Sequence, residues 1–185
     1  KERADQGRGR FLFGFEESYG YLAGDFVRDK DGIQAALLAA ETAAYHRERG
    51  MTLLDALERL YRIYGYYREE LVSLELAEGE DYRADRTMEA LCGAGRGKPG
   101  GLKIINVDDY LRRLSTDLRT GEQKHTGLPA GNAVKYFLER DCWFCIRQSG
   151  TEPKIKIYFG VKAESAARAE FLLDQLKISV LSLFP

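Results

Sequence analysis

Between Lys154 and Phe159 the chain reads KIKIYF, and this strict alternation is the tightest constraint the sequence places on its fold. Ile155, Ile157 and Phe159 fall on one face of an extended chain, and Lys154, Lys156 and Tyr158 on the other, the pattern of a half-buried strand. Upstream, Trp143, Phe144, Cys145 and Ile146 form a run of bulky, β-favouring side chains that predicts a second strand. The polar stretch from Gln148 to Pro153 is then the connection between two strands. Gly150 accepts positive φ, and the hydroxyls of Ser149 and Thr151 bond to nearby backbone, so such a connection can present several N–H groups together. Concave clusters of N–H groups bind anions, and Arg147 adds a planar fork matched to phosphate or carboxylate. From Trp143 to Lys162 four cations, Arg147, Lys154, Lys156 and Lys162, face a single anion, Glu152. By composition alone the stretch reads equally well as a phosphate site or as an ordinary polar hairpin tip.

The rest of the chain can be read around this hairpin. Phe11 to Phe15 predicts a short strand leading into a turn-rich stretch with Gly14, Gly20 and Gly24. A helix begins near Asp31, with Ile33, Ala36, Leu37, Ala40 and Ala44 on one stripe and Gly50 as its stop. Thr52 and Asp55 resemble a capping box, and Leu54, Leu57, Tyr61 and Tyr64 predict the buried stripe of a second helix ending at Gly65. Leu71 to Leu76 reads as a strand opening a new unit, Tyr82 to Leu91 as a helix, and LKIINV from Leu102 as a strand. Residues 129 to 138 lead into the hairpin region. A last helix over Ser165 to Leu183 places Ala169, Leu172, Leu173, Leu176 and Val180 on one face. The glycine-rich segment Gly93 to Gly101 is not a nucleotide loop, because Lys98 is followed by Pro99 and then by a strand where that motif needs a helix.

At 185 residues, 44% apolar and 31% charged, the chain suits one or two globular domains. A formal net charge of −1 gives no bulk attraction to nucleic acid or to an anionic membrane, and no apolar run approaches the length of a membrane span. Lys1 to Arg10 is polar, unlike a signal peptide. Cys142 and Cys145 form a C-x-x-C, but an i, i+3 pair on a strand points to opposite faces and no second pair completes a zinc site. Free thiols in a reducing cytoplasm are the expectation. His46 and His125 have no partner constellation.

The other unusual stretch is GFEESYGYLAGDF, from Gly14 to Phe26, where Glu16 and Glu17 are the only charges before Asp25. In an extended segment Glu16 and Ser18 project to the same side, and a carboxylate beside a hydroxyl can read adjacent sugar hydroxyls. A solvated turn is the plain alternative, and the stretch offers too few ligands for a metal.

FGFEESYGY, then VRDKDG, then a distant RQSGTEPKIKIYF together resemble the C-terminal part of an α-D-phosphohexomutase, the phosphoglucomutase and phosphomannomutase family. The resemblance implies an α+β chain. Residues 1–68 would be the tail of an α/β third domain, and 69–185 a small α+β fourth domain with an antiparallel sheet packed against helices. It implies that Glu16, Glu17 and Ser18 contact the sugar, and Glu16 should weigh more than Glu17 because it shares a face with Ser18 in an extended segment. Arg147, Ser149, Gly150 and Thr151 would bind the substrate phosphate, and Lys30 would assist proton transfer, a role that needs a depressed pKa. Gln148 stands where many relatives have Pro, and Gly20 where bacterial phosphomannomutase relatives carry His, which shifts the proton-transfer role to Lys30.

The family reaction interconverts hexose 1-phosphate and hexose 6-phosphate through a phosphoserine and a hexose 1,6-bisphosphate, with Mg²⁺ balancing charge. Its serine loop, T-A-S-H-N-P-like, and its metal loop, D-G-D-x-D-R-like, do not occur here; GEDYRADR from Gly79 has the wrong spacing. The expectation is therefore a substrate-binding part of the enzyme, inactive alone. Its partners would be a phosphohexose substrate and the missing N-terminal domains of the same enzyme, with neither nucleic acid nor membrane. A hinge at Gly65 to Leu71 would let the phosphate loop close over substrate. The alternative is a non-catalytic phosphosugar-binding module.

Overall fold

A computed structural model describes residues 11–16, 19–75, 97–148 and 153–184. It divides into two compact units, Lys1–Leu60 and Tyr61–Pro185. The expected helix at Tyr82 to Leu91 and the glycine-rich segment as far as Arg96 lie outside the described residues.

In the first unit, β1 (Gly14–Phe15) pairs antiparallel with β2 (Tyr21–Leu22), so only the end of the expected Phe11 to Phe15 strand is ladder. Helix α1 (Gly32–Arg47) starts where the sequence signals it: Asp31 is extended and its carboxylate accepts from the N–H groups of Ile33 at 2.8 Å and Gln34 at 3.4 Å. Helix α2 (Leu53–Tyr64) opens on the Thr52–Asp55 box. The Thr52 N–H donates to Asp55 Oδ2 at 2.8 Å and the Asp55 N–H to Thr52 Oγ1 at 3.1 Å. Gly65, at φ +103°, closes it by donating to the Tyr61 carbonyl.

The buried stripes predicted for these helices are not buried. No residue of α1 is, and Ile33 is 84% exposed; on α2, Leu54 is 78% exposed, Leu57 and Tyr64 are exposed, and Ala56 alone is buried. An apolar stripe needs an opposing layer, and the described residues of the first unit offer only two two-residue strands.

The second unit is a seven-stranded antiparallel sheet in the order β3-β9-β8-β7-β4-β5-β6, with α3 against one face. Its strands are β3 (Tyr66–Glu75), β4 (Ile104–Asp109), β5 (Leu114–Asp117), β6 (Gln123–His125), β7 (Ala133–Leu138), β8 (Trp143–Gln148) and β9 (Lys154–Ala163). Antiparallel strands and a segregated helix make the architecture α+β. The opening alternation holds. Ile155, Ile157, Phe159 and Val161 are buried, while Lys154, Lys156 and Tyr158 are half-buried on the other face. Helix α3 (Ala166–Leu181) is capped by Ser165, whose Oγ accepts from the Arg168 N–H at 3.3 Å. It lays Ala169, Leu172, Leu173, Leu176 and Val180 onto Tyr136, Phe144, Ile157 and Phe159 as one core. The Tyr136 and Phe144 rings stack at 4.5 Å between centroids.

Strand β3 begins five residues before the strand expected at Leu71. It pairs along its whole length with β9, Tyr66 opposite Ala163 and Glu75 opposite Lys154. The 68/69 boundary read from sequence falls within this strand, and the expected hinge at Gly65 to Leu71 is mostly ladder.

Candidate functional site

Residues 16–20 connect β1 to β2, and the Glu16 N–H donates to the Gly20 carbonyl at 2.8 Å, closing the loop at its base. Tyr19 takes the left-handed conformation, at φ +66°, that so short a reversal requires. Glu16 therefore stands directly after β1, tied to the residue that precedes β2. Lys30 approaches from the residues before α1, and its Nζ lies 3.6 Å from Glu16 Oε2 and 3.4 Å from Asp29 Oδ1. Of the residues read as sugar-binding or proton-transferring, Glu16 and Lys30 are thus brought together. Glu17 and Ser18, and with them the same-side placement of Glu16 and Ser18, lie outside the described residues.

Asp29 and then Glu16 raise the Lys30 ammonium above its ordinary value, because each carboxylate favours the charged form. Asp29 is held below its own ordinary value, chiefly by the backbone N–H of Lys30, which donates to Oδ1 at 2.8 Å. A base role for Lys30 needs the opposite shift; the arrangement suits an ammonium that donates.

Two concavities flank this pair in the first unit. One of about 190 Å³ is lined by Glu16, Gly20, Arg28, Asp29 and Lys30 among others, and one of about 520 Å³ by residues 27–32. Arg28 lines both, is exposed, and has no ion-pair partner among the described residues. Sequence reading passed over it, although R-D-K-D-G packs four charges into five positions and could have pointed there. Asp31, which lines the larger concavity, is tied to Gln34 and through it to the segment after β2. Gln34 Nε2 donates to Asp31 Oδ2 at 3.0 Å, and Gln34 Oε1 accepts from the N–H groups of Ala23 at 3.3 Å and Gly24 at 2.9 Å.

In the second unit Arg147 is exposed near the end of β8, on the face away from the core. Its cross-strand partner on β9 is Lys156, so two cations stand side by side where β8 leads toward residues 149–152. Ser149, Gly150 and Thr151 lie outside the described residues. Gln148 ties the end of β8 to the residue before β7. Its N–H donates to the Asn132 carbonyl at 3.3 Å, and its Oε1 accepts from Asn132 Nδ2 at 2.7 Å. Lys135 stands 4.2 Å from the Trp143 ring centroid, giving the same face an aromatic and cationic character.

Cys142 and Cys145 are free thiols, one buried and one half-buried, and burial raises both, Cys145 to about 11. Among the described residues no three of His, Cys, Asp and Glu converge on a point that could hold a metal. No helix among them is long and apolar enough to cross a membrane.

Known proteins share both units of this chain. Residues 1–64 match the family described as phosphoglucomutase/phosphomannomutase, alpha/beta/alpha domain III, and residues 111–176 match phosphoglucomutase/phosphomannomutase, C-terminal domain. The chain is 36% identical over 157 residues to a phosphoglucomutase of Staphylococcus haemolyticus (strain JCSC1435), covering 84% of this chain and 28% of that protein. It is 36% identical over 156 residues to a phosphoglucomutase of Staphylococcus epidermidis (strain ATCC 12228 / FDA PCI 1200), covering 83% and 28%. Against a phosphoglucomutase of Staphylococcus aureus (strain COL) it is 34% identical over 155 residues, covering 82% and 27%. The match thus spans little more than a quarter of the length of these curated relatives. With both domain matches in sequence order and the relatives running across them, the chain belongs to the phosphoglucomutase/phosphomannomutase family.

Proposed function

We propose that this chain is the C-terminal, substrate-binding part of a phosphohexomutase that interconverts hexose 1-phosphate and hexose 6-phosphate through a bisphosphorylated sugar. The observation that carries the reading is the Glu16–Lys30 pair, 3.6 Å apart, Glu16 being the first residue of the E-E-S motif. A carboxylate accepts from sugar hydroxyls and an ammonium donates to an oxygen, so the pair can grip a hexose ring and supply a proton to a leaving oxygen. In the second unit Arg147, with Lys156 opposite it, would take the non-reacting phosphate, helped by Ser149, Gly150 and Thr151. Glu17 and Ser18 complete the sugar contacts in this reading.

The phosphoryl-carrying serine and the Mg²⁺ that steadies charge during transfer would come from N-terminal domains of the same enzyme. The chain's own residues bind and orient the hexose phosphate, and the enzyme would work in the cytoplasm on a phosphosugar pool.

The test is an isotope-edited NMR titration of the 185-residue chain with glucose 1-phosphate. Amide shifts are expected at Glu16 to Gly20, at Lys30, and at Arg147 to Thr151, and the last group should vanish in Arg147→Ala. Shifts confined to other residues, or unaltered by Arg147→Ala, would remove the assignment. In an enzyme that carries the serine and metal loops, the same substitution should lower kcat/KM by about 1.5–3 kcal/mol, the worth of a hydrogen bond to a charged group.

A further inference from the structure

Position 20 has no side chain, and the Lys30 stem occupies the space one would take. A Cβ on Gly20 would collide with Lys30 Cδ, and would lie 3.3 Å from Lys30 Cβ and 3.0 Å from Glu16 Oε2. Gly20 is buried, but its φ is outside the left-handed region, so its backbone conformation would accept any residue. The obstacle is the neighbours. The Gly20 carbonyl, accepting from the Glu16 N–H at 2.8 Å, also fixes the end of the loop on which Glu16 stands. The same residue thus holds Glu16 through its main chain and admits Lys30 through its missing side chain.

We propose that Gly20 is a positioning residue: the gap at its Cα is the channel along which the Lys30 stem passes, so that the ammonium meets Glu16 in one fixed arrangement. The proposal rests on reading Glu16 and Lys30 as one substrate site, and names what sets their geometry. A methyl group at position 20 meets a flexible stem at Cδ, so it turns Lys30 aside rather than unfolding the unit. The ammonium then leaves Glu16 while keeping Asp29, its neighbour in sequence.

The experiment follows the Lys30 ammonium by ¹³C NMR titration of the 185-residue chain without substrate, its resonance assigned by its loss in Lys30→Ala. Glu16→Gln should lower the Lys30 pKa, Gly20→Ala should lower it too, and Glu16→Gln added to Gly20→Ala should lower it no further. An unchanged titration in Gly20→Ala, or two shifts that add, would overturn the proposal. Thermal melts provide the structural control: Gly20→Ala should leave the melting temperature of Lys30→Ala unchanged. A fall in that background would mean that something other than the Lys30 stem requires the glycine, the Glu16 carboxylate at 3.0 Å included, which also overturns it. Because no substrate is present, a failed titration removes the positioning role alone. If the Glu16–Lys30 coupling persists while glucose 1-phosphate leaves both residues undisturbed, the substrate reading fails alone.

Discussion

Gly160 in β9 is buried beneath the indole of Trp143, its cross-strand partner, and a Cβ there would overlap the ring. Gly160→Ala is therefore expected to cost about 1–3 kcal/mol through forced repacking, read as a lower urea midpoint with an unchanged m-value. Asp117 makes a different kind of contribution. Hydrogen bonds from the Arg119 side chain, at 2.6 Å and 3.1 Å, and from its backbone hold the Asp117 carboxyl far below the ordinary 3.8. The folded pKa is depressed, so the stabilisation is complete above the unfolded value and fades as pH falls from there toward the folded one. Arg119→Ala should leave a chain that loses less stability between about pH 5 and pH 2 than the parent does, measured by denaturant titrations at each pH. At this scale the sequence was legible where a local pattern announces its geometry, as at the Asp31 cap and the Thr52–Asp55 box. It was silent where two residues share space. Nothing in GFEESYG announces that Gly20 leaves room for a stem ten positions later, and Gln148, standing where many relatives have Pro, donates an N–H that Pro lacks.

Helices and strands were readable in proportion to the completeness of their surroundings. Helix α3 and strand β9 carry their partners within the described residues, and every apolar residue assigned to their inner faces is buried. Period alone located the stripes of α1 and α2 equally well, yet those stripes are exposed, because periodicity identifies a face without saying whether anything covers it. Leu176→Ala on α3 should accordingly cost about 2–5 kcal/mol, while Leu54→Ala on α2 should change the stability of this chain by less than about 0.5 kcal/mol, both read from denaturant melts. At the head of α1, Asp31 caps the helix and holds Gln34 against the Ala23 and Gly24 amides. Asp31→Ala should cost about 0.5–2 kcal/mol and speed hydrogen exchange at Ala23 and Gly24, whereas Asp31→Asn should restore most of both.

For the whole molecule, the two units predict separate fates. The second has its own sheet, helix and core, so residues 61–185 expressed alone should fold and protect the amides of β8 and β9 from exchange. The 185-residue chain should show no turnover in a coupled assay for glucose 6-phosphate formation from glucose 1-phosphate with Mg²⁺ and the bisphosphate supplied. Turnover by material free of host enzyme would place the phosphoryl carrier within this chain after all. The sheet order also bears on how the protein is made. β3 precedes every other strand of its sheet in the chain, while its partner β9 is the last of the seven, so Tyr66 must wait for Ala163. Until Lys154 to Ala163 emerge, the ten residues of β3 lack the one strand they pair with among the described residues, an open edge of the kind that other chains can capture. Closing so distant a pair carries an entropic cost that a local hairpin such as β8–β9 does not, so stopped-flow refolding of residues 61–185 is expected to protect the β3 amides after those of β8.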